Sequence, residues 1–270
     1  MEYFATMSEN CLMRFGVGDW VSLDPMCDVE ITDTVYYRID ALMMAELAES
    51  IGEDAARWYA LAEDIKRDFR AKYVKDGLLT ENTFTPLVCA VWGGMLEEDE
   101  IESHVALAAK IAGEQGDALR CGIHGLRAVF DVFGKYGYND LIFRILTNTE
   151  AKGYGKSVKD GLTTLPESFD YVCEENKEGK YYSLNHHFTA MVDGWFYRYV
   201  AGIGLSGFGW ESLHIAPKII DEIRNFTAEC RGVRVERREN ELKILSPYAF
   251  KLELGENSGE YAEGEYSFTL

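Results

Sequence analysis

No apolar run in this 270-residue sequence reaches the roughly 18 to 20 residues that a membrane-spanning helix needs. Positive charge is also short: 27 Lys and Arg stand against 46 Asp and Glu, a net charge of −19. Such a surface repels phosphate backbones and anionic lipid, so neither a nucleic acid nor a membrane is expected as a partner. The six cysteines show no C-x-x-C or zinc-like spacing, and with no H-E-x-x-H either, no metal and no cofactor is expected. They read as reduced thiols of a cytoplasmic protein. The first residues, MEYFATMSENCLMRFG, have neither a basic start nor an unbroken apolar stretch, so no secretory signal is read there. The P-loop, the G-x-S-x-G elbow and a strand-to-helix G-x-G-x-x-G are missing as well, which leaves NTP-dependent, serine-hydrolase and dehydrogenase chemistry without a foothold.

What is present is a core: 47% hydrophobic and 13% aromatic residues, enough for one large domain or two modest ones. Apolar residues recur at helical period through the first two-thirds. Val35 to Leu47, Trp58 to Tyr73, Phe84 to Met95, Ile101 to Ile111, Leu126 to Phe133 and Tyr138 to Leu146 predict six helices. Phe188, Met191, Val192, Trp195, Tyr199 and Ile203 predict a seventh. Short, glycine-marked connections suit antiparallel helix hairpins. After about Trp210 the pattern turns to alternation, as in Val233/Val235, Leu242/Ile244 and Leu252/Leu254, which predicts antiparallel β-structure. The expected fold is mainly α: a helical-hairpin domain over residues 1–210, then a small β-sandwich-like domain over 211–270.

Three stretches could carry chemistry. In FGVGDWVSLDP, Asp19 and Trp20 sit in a glycine-flexed loop, with Asp24 before a proline. A carboxylate beside an indole suits a sugar, whose hydroxyls donate to the acid and whose apolar face covers the ring. The plainer reading is that Asp19 caps a turn and Trp20 packs inward. In GLTTLPESFDY, within the long non-periodic segment from Asn148 to Ser183, Glu167 follows a proline. Phe169 and Tyr171 could dry that carboxyl and fit it for proton transfer; otherwise it is one solvated acid among many. In YYSLNHHF, Ser183 or Asn185 would cap the seventh helix, leaving His186 and His187 in its first turn, one facing in and one out. Adjacent histidines cannot share a metal as an i, i+4 pair can.

In order, GVGDW, helical hairpins, GLTTLPESF, SLNHHF, DGWFYRYVAGI and a β-domain resemble the family 78 α-L-rhamnosidases over nearly the whole chain. The resemblance implies an (α/α)6 barrel followed by a β-sandwich, and inverting hydrolysis of terminal α-L-rhamnosides. It implies Glu167 as general base, His186 as a rhamnose contact, and Asp19 and Trp20 on the sugar-binding face. Carbohydrate is then the expected partner. The family's earlier acidic segment, of the type D-E-R-x-x-W-x-G-D, supplies its general acid and has no counterpart here. EEDEIESH, Glu97 to His104, lacks the tryptophan and glycine and reads as a solvated helix. About seven helices where the barrel has twelve imply an incomplete toroid, a C-terminal part of such an enzyme with little activity alone. Its bared edges predict a homo-oligomer or a missing N-terminal chain. The alternatives are a non-catalytic sugar-binding or split-enzyme module, and another (α/α)-toroid glycosidase using Asp19 or Asp24 as second carboxylate.

Overall fold

The computed structural model describes residues 2–207 and 209–270, which fall into two compact units that meet in sequence at Met191 and Val192. The division lies inside the segment read as a seventh helix, upstream of the change of pattern at Trp210.

The first unit is helical. A short helix α1 (Glu2–Met7) and a two-residue hairpin, β1 (Ser8–Glu9) with β2 (Leu12–Met13), precede the loop that carries Asp19. Then come α2 (Val29–Ser50) and α3 (Ala56–Tyr73), packed as a hairpin. Asp28 starts α2 by accepting from the Glu30 amide, and Gly52 at φ 74° lets the chain leave it. In α3 the residues Trp58, Ala62, Ile65, Phe69 and Tyr73 form one buried stripe, as their spacing predicts. The KDG that ends this helix is a hairpin turn: Asp76 and Gly77 both take positive φ and join β3 (Val74–Lys75) to β4 (Leu78–Leu79).

Next are α4 (Phe84–Trp92), α5 (Glu98–Glu114), α6 (Ile123–Lys135), α7 (Asn139–Thr147) and α8 (Tyr154–Lys159). Helix α4 is buried along nearly its whole length between α5, α6 and α2. The acidic run is a capping box, in which Glu97 and Glu100 satisfy each other's backbone amides at the start of α5. Glu100 also takes both guanidinium nitrogens of Arg70, at 2.5 and 2.9 Å. The six helices expected before Asn148 are thus α2 to α7. Helix α8 lies inside the segment read as non-periodic; at six residues it is too short to leave a period.

The seventh helix is a correction. The unit ends in a 3₁₀ turn, His187–Met191; the second unit opens with one α-turn, α9 (Val192–Trp195), and a π-turn, Phe196–Val200. The Ala201 amide reaches back five residues to the Phe196 carbonyl, and by Ile203 the chain is extended. Hydrogen bonds of i+3, i+4 and i+5 type keep side chains three to five apart on similar faces, so apolar spacing cannot tell these windings apart.

The second unit is two four-stranded sheets around one core. One has the order β11 (Gly259–Tyr261), β10 (Phe250–Leu252), β6 (Leu213–Ile215), β5 (Ile203–Leu205). The other has β12 (Gly264–Thr269), β9 (Glu241–Ser246), β8 (Val233–Arg238), β7 (Asn225–Cys230) and is antiparallel throughout. Val233, Val235, Leu242, Ile244 and Leu252 fill the core, as their alternation predicts. One pairing departs from expectation: β6 and β10 run parallel. No described helix is long and apolar enough to cross a membrane, and all six cysteines are unpaired.

Candidate functional site

Beyond α8 the chain runs out and back, and hydrogen bonds between residues 164–167 and 183–189 tie the two legs together. Thr164 Oγ1 donates to the Leu184 carbonyl (2.5 Å), and the His186 amide to Leu165 (2.8 Å). Thr189 Oγ1 donates to the Pro166 carbonyl (2.8 Å), and the Glu167 amide to Ser183 (2.8 Å). The Ser183 amide returns a longer bond, 3.4 Å, to Glu167 Oε2. Two separate motifs, TTLPE and SLNHH, are in this way paired, with half-buried Glu167 opposite Ser183 and His186 opposite Leu165.

Its backing is solid. Phe169 and Tyr171 are interior anchors: Phe169 lies edge-on to Tyr154 (4.8 Å between centroids), and Tyr171 donates to Asp160 Oδ2 at 2.9 Å. Tyr154 in turn donates to the Thr189 carbonyl (2.7 Å). Gly179 is needed because a Cβ there would lie 2.4 Å from the Tyr171 carbonyl.

His186 has a defined tautomer. The Phe188 amide donates to its Nδ1 at 3.3 Å, so that nitrogen carries a lone pair and the neutral ring holds its proton on Nε2. His187 stacks on it at 4.7 Å and is exposed while His186 is half-buried; the two rings lie side by side at the start of the 3₁₀ turn, not on opposite faces of a helix.

The Gly-Asp-Trp loop is built against the start of α6. Asp19 is 2% exposed and its two oxygens accept four bonds. Oδ1 takes the His124 and Gly125 amides (2.9 and 3.0 Å); Oδ2 takes the Gly122 amide and the Thr85 hydroxyl (2.8 and 2.5 Å). Asp19 therefore caps a helix begun a hundred residues later, and no acceptor direction is left for a sugar hydroxyl. Trp20 does the opposite of packing inward, with 47% of it exposed. Its carbonyl accepts from the Ile123 amide (3.0 Å), and a Cβ on Gly122 would sit 2.1 Å from that oxygen. The turn that presents the indole holds Val21 at φ 59°, a conformation a β-branched residue adopts only under constraint.

Asp24 is also committed. Oδ1 pairs with Arg120 Nε (2.6 Å) and Oδ2 accepts from Gln115 Nε2 (2.8 Å). Neither Asp19 nor Asp24 thus offers a free carboxylate as partner to Glu167. Helix α6 serves both clusters: its first turn receives Asp19, and its length packs on the 3₁₀ turn that follows His186.

The sequence reading missed Asp33, whose Oδ2 accepts from the Phe15 and Gly16 amides (2.8 and 2.6 Å) and sets the entry to the loop. It also missed Tyr36, Asp40 and His124, which share a cavity with Asp33. Asp33, Tyr36 and Asp40 follow one another at helical spacing on α2, a signal that needed a hydrophilic face to be read as well as the apolar one. Among the described residues, no group of three or more His, Cys, Asp or Glu side chains is placed to hold a metal ion.

Residues 1–200 match the model of the bacterial alpha-L-rhamnosidase 6 hairpin glycosidase domain. An alpha-L-rhamnosidase of Formosa agariphila is 27% identical over 288 residues, covering 99% of this chain and 28% of its own length. One from Streptomyces avermitilis is 23% identical over 216 residues, covering 79% and 21%. The chain thus spans roughly a quarter of the curated relatives it matches. The crystal structure of the S. avermitilis alpha-L-rhamnosidase complexed with L-rhamnose superposes with a TM-score of 0.88 at 19% identity, over 100% of this chain and 29% of that one. Native α-L-rhamnosidase from Aspergillus terreus gives 0.82 at 17%, over 94% and 33%. At such identities the superpositions speak for the fold alone.

Proposed function

The chain belongs to the bacterial α-L-rhamnosidase six-hairpin glycosidase family, and on that premise we propose that it forms the general-base side of a site for terminal α-L-rhamnosides. Glu167 draws a proton from water as the water attacks the anomeric carbon, the proton passes to its carboxylate, and the glycosidic C–O bond breaks with inversion. The observation that supports the reading is the pairing of TTLPE with SLNHH, which holds Glu167 by Ser183 and brings His186 into the same paired segment. His186 offers its Nε2 proton to a sugar hydroxyl. Trp20 offers an indole face to the apolar side of a 6-deoxy sugar, and Asp19 keeps that turn in place.

Inversion needs a second carboxyl to protonate the leaving oxygen. With both oxygens of Asp19 and of Asp24 engaged, that acid has to be another group, supplied beyond the motifs recognised in this chain. The same observation favours a second reading, in which this chain binds L-rhamnose without turning it over. We place either activity in the cytoplasm, where six unpaired thiols suit a reducing environment. The exposed stripe of Met43 and Leu47 on α2 and Ile51 just after it supports a covering partner, a second copy or further hairpins of the domain.

The test is to follow an aryl α-L-rhamnoside by proton NMR and L-rhamnose by calorimetry, with the chain and its Glu167→Gln variant. Hydrolysis releasing the β-anomer first, lost by about a hundredfold or more in the variant, supports the base assignment. L-rhamnose binding without hydrolysis, weakened by His186→Ala and Trp20→Ala, supports the binding module. Turnover untouched by Glu167→Gln overturns the first reading; no binding at all overturns both.

A further inference from the structure

A cavity of about 260 Å³ opens between the chain that enters the Gly-Asp-Trp loop and the side of α2, lined by aromatic rings and two acids. Phe4 and Phe15 face one another at 6.4 Å, and Phe4 meets Tyr37 edge-on at the same distance. Tyr36 stands against the His124 ring at 4.5 Å. Between these rings sit three polar groups with acceptor atoms that bind no described residue. Asp40 makes no hydrogen bond or ion pair with any described residue, and burial raises its carboxyl above the ordinary value. Asp33 spends Oδ2 on two amides, but Oδ1 accepts from no described group. His124 Nδ1 is buried without a partner.

The chemistry of these vacancies is one-sided. Carboxylate oxygens only accept, and burial lowers the His124 pKa, which keeps the imidazole neutral with a lone pair to offer. No Lys or Arg is among the residues lining the cavity. An anion would meet two like charges. A neutral ligand would strip the acids of their remaining water and return no charge. A cation bearing N–H groups answers both acids at once and is attracted to the ring faces. A quaternary ammonium would satisfy the charge but leave the acceptors unfilled. We propose that this cavity binds a primary ammonium ion carrying an apolar, ring-sized substituent, held by Asp40, Asp33 Oδ1 and His124 among the rings of Phe4, Phe15 and Tyr37.

The site is separate in its residues from Glu167, His186 and Trp20, so it stands or falls apart from the rhamnoside reading. The probe is phenethylammonium chloride, with 2-phenylethanol as its uncharged counterpart, titrated into the full chain by calorimetry while tyrosine and histidine resonances are followed by NMR. The ammonium is expected to bind at least about tenfold more tightly than the alcohol and to shift the His124 and Tyr36 signals. Asp40→Asn should abolish that preference, and thermal unfolding should show the variant folded, because Asp40 bonds to no described residue. Glu167→Gln should leave amine binding unchanged. Equal affinity for the alcohol, equal amine binding by Asp40→Asn, or loss of amine binding in Glu167→Gln would each overturn the proposal.

Discussion

Glu167 and Ser183 hold each other from both directions: the Glu167 amide donates to the Ser183 carbonyl, and the Ser183 amide donates to the Glu167 carboxylate. A base must keep one oxygen free for water and one in place, and a backbone donor fixes an oxygen without adding a competing acid. Placement of this carboxylate therefore depends less on its own side chain than on how firmly the two legs of the loop stay paired.

Thr189 is where that pairing can be loosened without touching the acid. The residue is buried, 1% exposed, and its hydroxyl donates to the Pro166 carbonyl, next to Glu167. Thr189→Val keeps the shape and removes the donor, leaving a buried carbonyl short of a partner, at a cost of about 1–2 kcal/mol. We expect a lower unfolding midpoint together with weaker L-rhamnose binding, and recovery of both in Thr189→Ser. Calorimetry and thermal melts of the two variants, side by side, give the answer.

Asp19 calls for the opposite experiment. It feeds three backbone amides and a hydroxyl, so Asp19→Asn turns one of its acceptors into a donor aimed at other donors. The expected loss is about 2–4 kcal/mol of stability. Gly122→Ala should be as severe by a different route, since its methyl group would press on the Trp20 and Asp19 carbonyls. If denaturant titration finds either change neutral, the loop is not held as described.

Much of this was legible in the sequence, and the misses share a cause. The period of Trp58 to Tyr73 and the alternation of Val233 and Val235 gave α3 and β8 because one buried face repeats regularly there. Glu167 and His186 were found as motifs, but their adjacency rests on backbone pairing between irregular segments, which leaves no periodic trace. Asp19 looked like a ligand for sugar because an acid next to a tryptophan reads the same whether its oxygens meet hydroxyls or amides. Its partners sit a hundred residues downstream, at a helix start that the sequence marks only with a glycine pair around Ile123 and His124. The parallel pairing of β6 with β10 is likewise a long-range choice that no local alternation encodes.

Arg237 shows the same limit inside a well-read strand. The alternation of β8 turns position 237 inward, and there the side chain donates to the carbonyls of Ile220, Ile223 and Glu239 at 2.8 to 3.0 Å. It clamps the 220–224 turn to the edge of the sheet. Arg237→Met fills similar space but leaves those carbonyls without their donor, and about 2–3 kcal/mol should be lost. Arg237→Lys, with one nitrogen for two, should fall between. Urea titration followed by far-ultraviolet circular dichroism orders the three proteins.

Burial lowers the His124 pKa below its ordinary 6.5, more strongly than the nearby charges of Asp19 and Asp33 raise it. The folded chain thus resists taking up a proton that the unfolded chain accepts. Above about pH 6.5 both states hold the ring neutral and the contribution is constant; as pH falls below that value the unfolded state binds the proton first, and stability drops until the folded pKa is passed. Replacing His124 by Phe keeps a ring against Tyr36 and removes the titration, so the variant's unfolding midpoint should fall less between pH 7 and pH 5 than that of the parent. The sign is the discriminating feature: a parent that grew more stable over this interval, relative to His124→Phe, would mean that the imidazole gains a partner on protonation, and Asp33, whose Oδ1 accepts from no described group, would then be that partner.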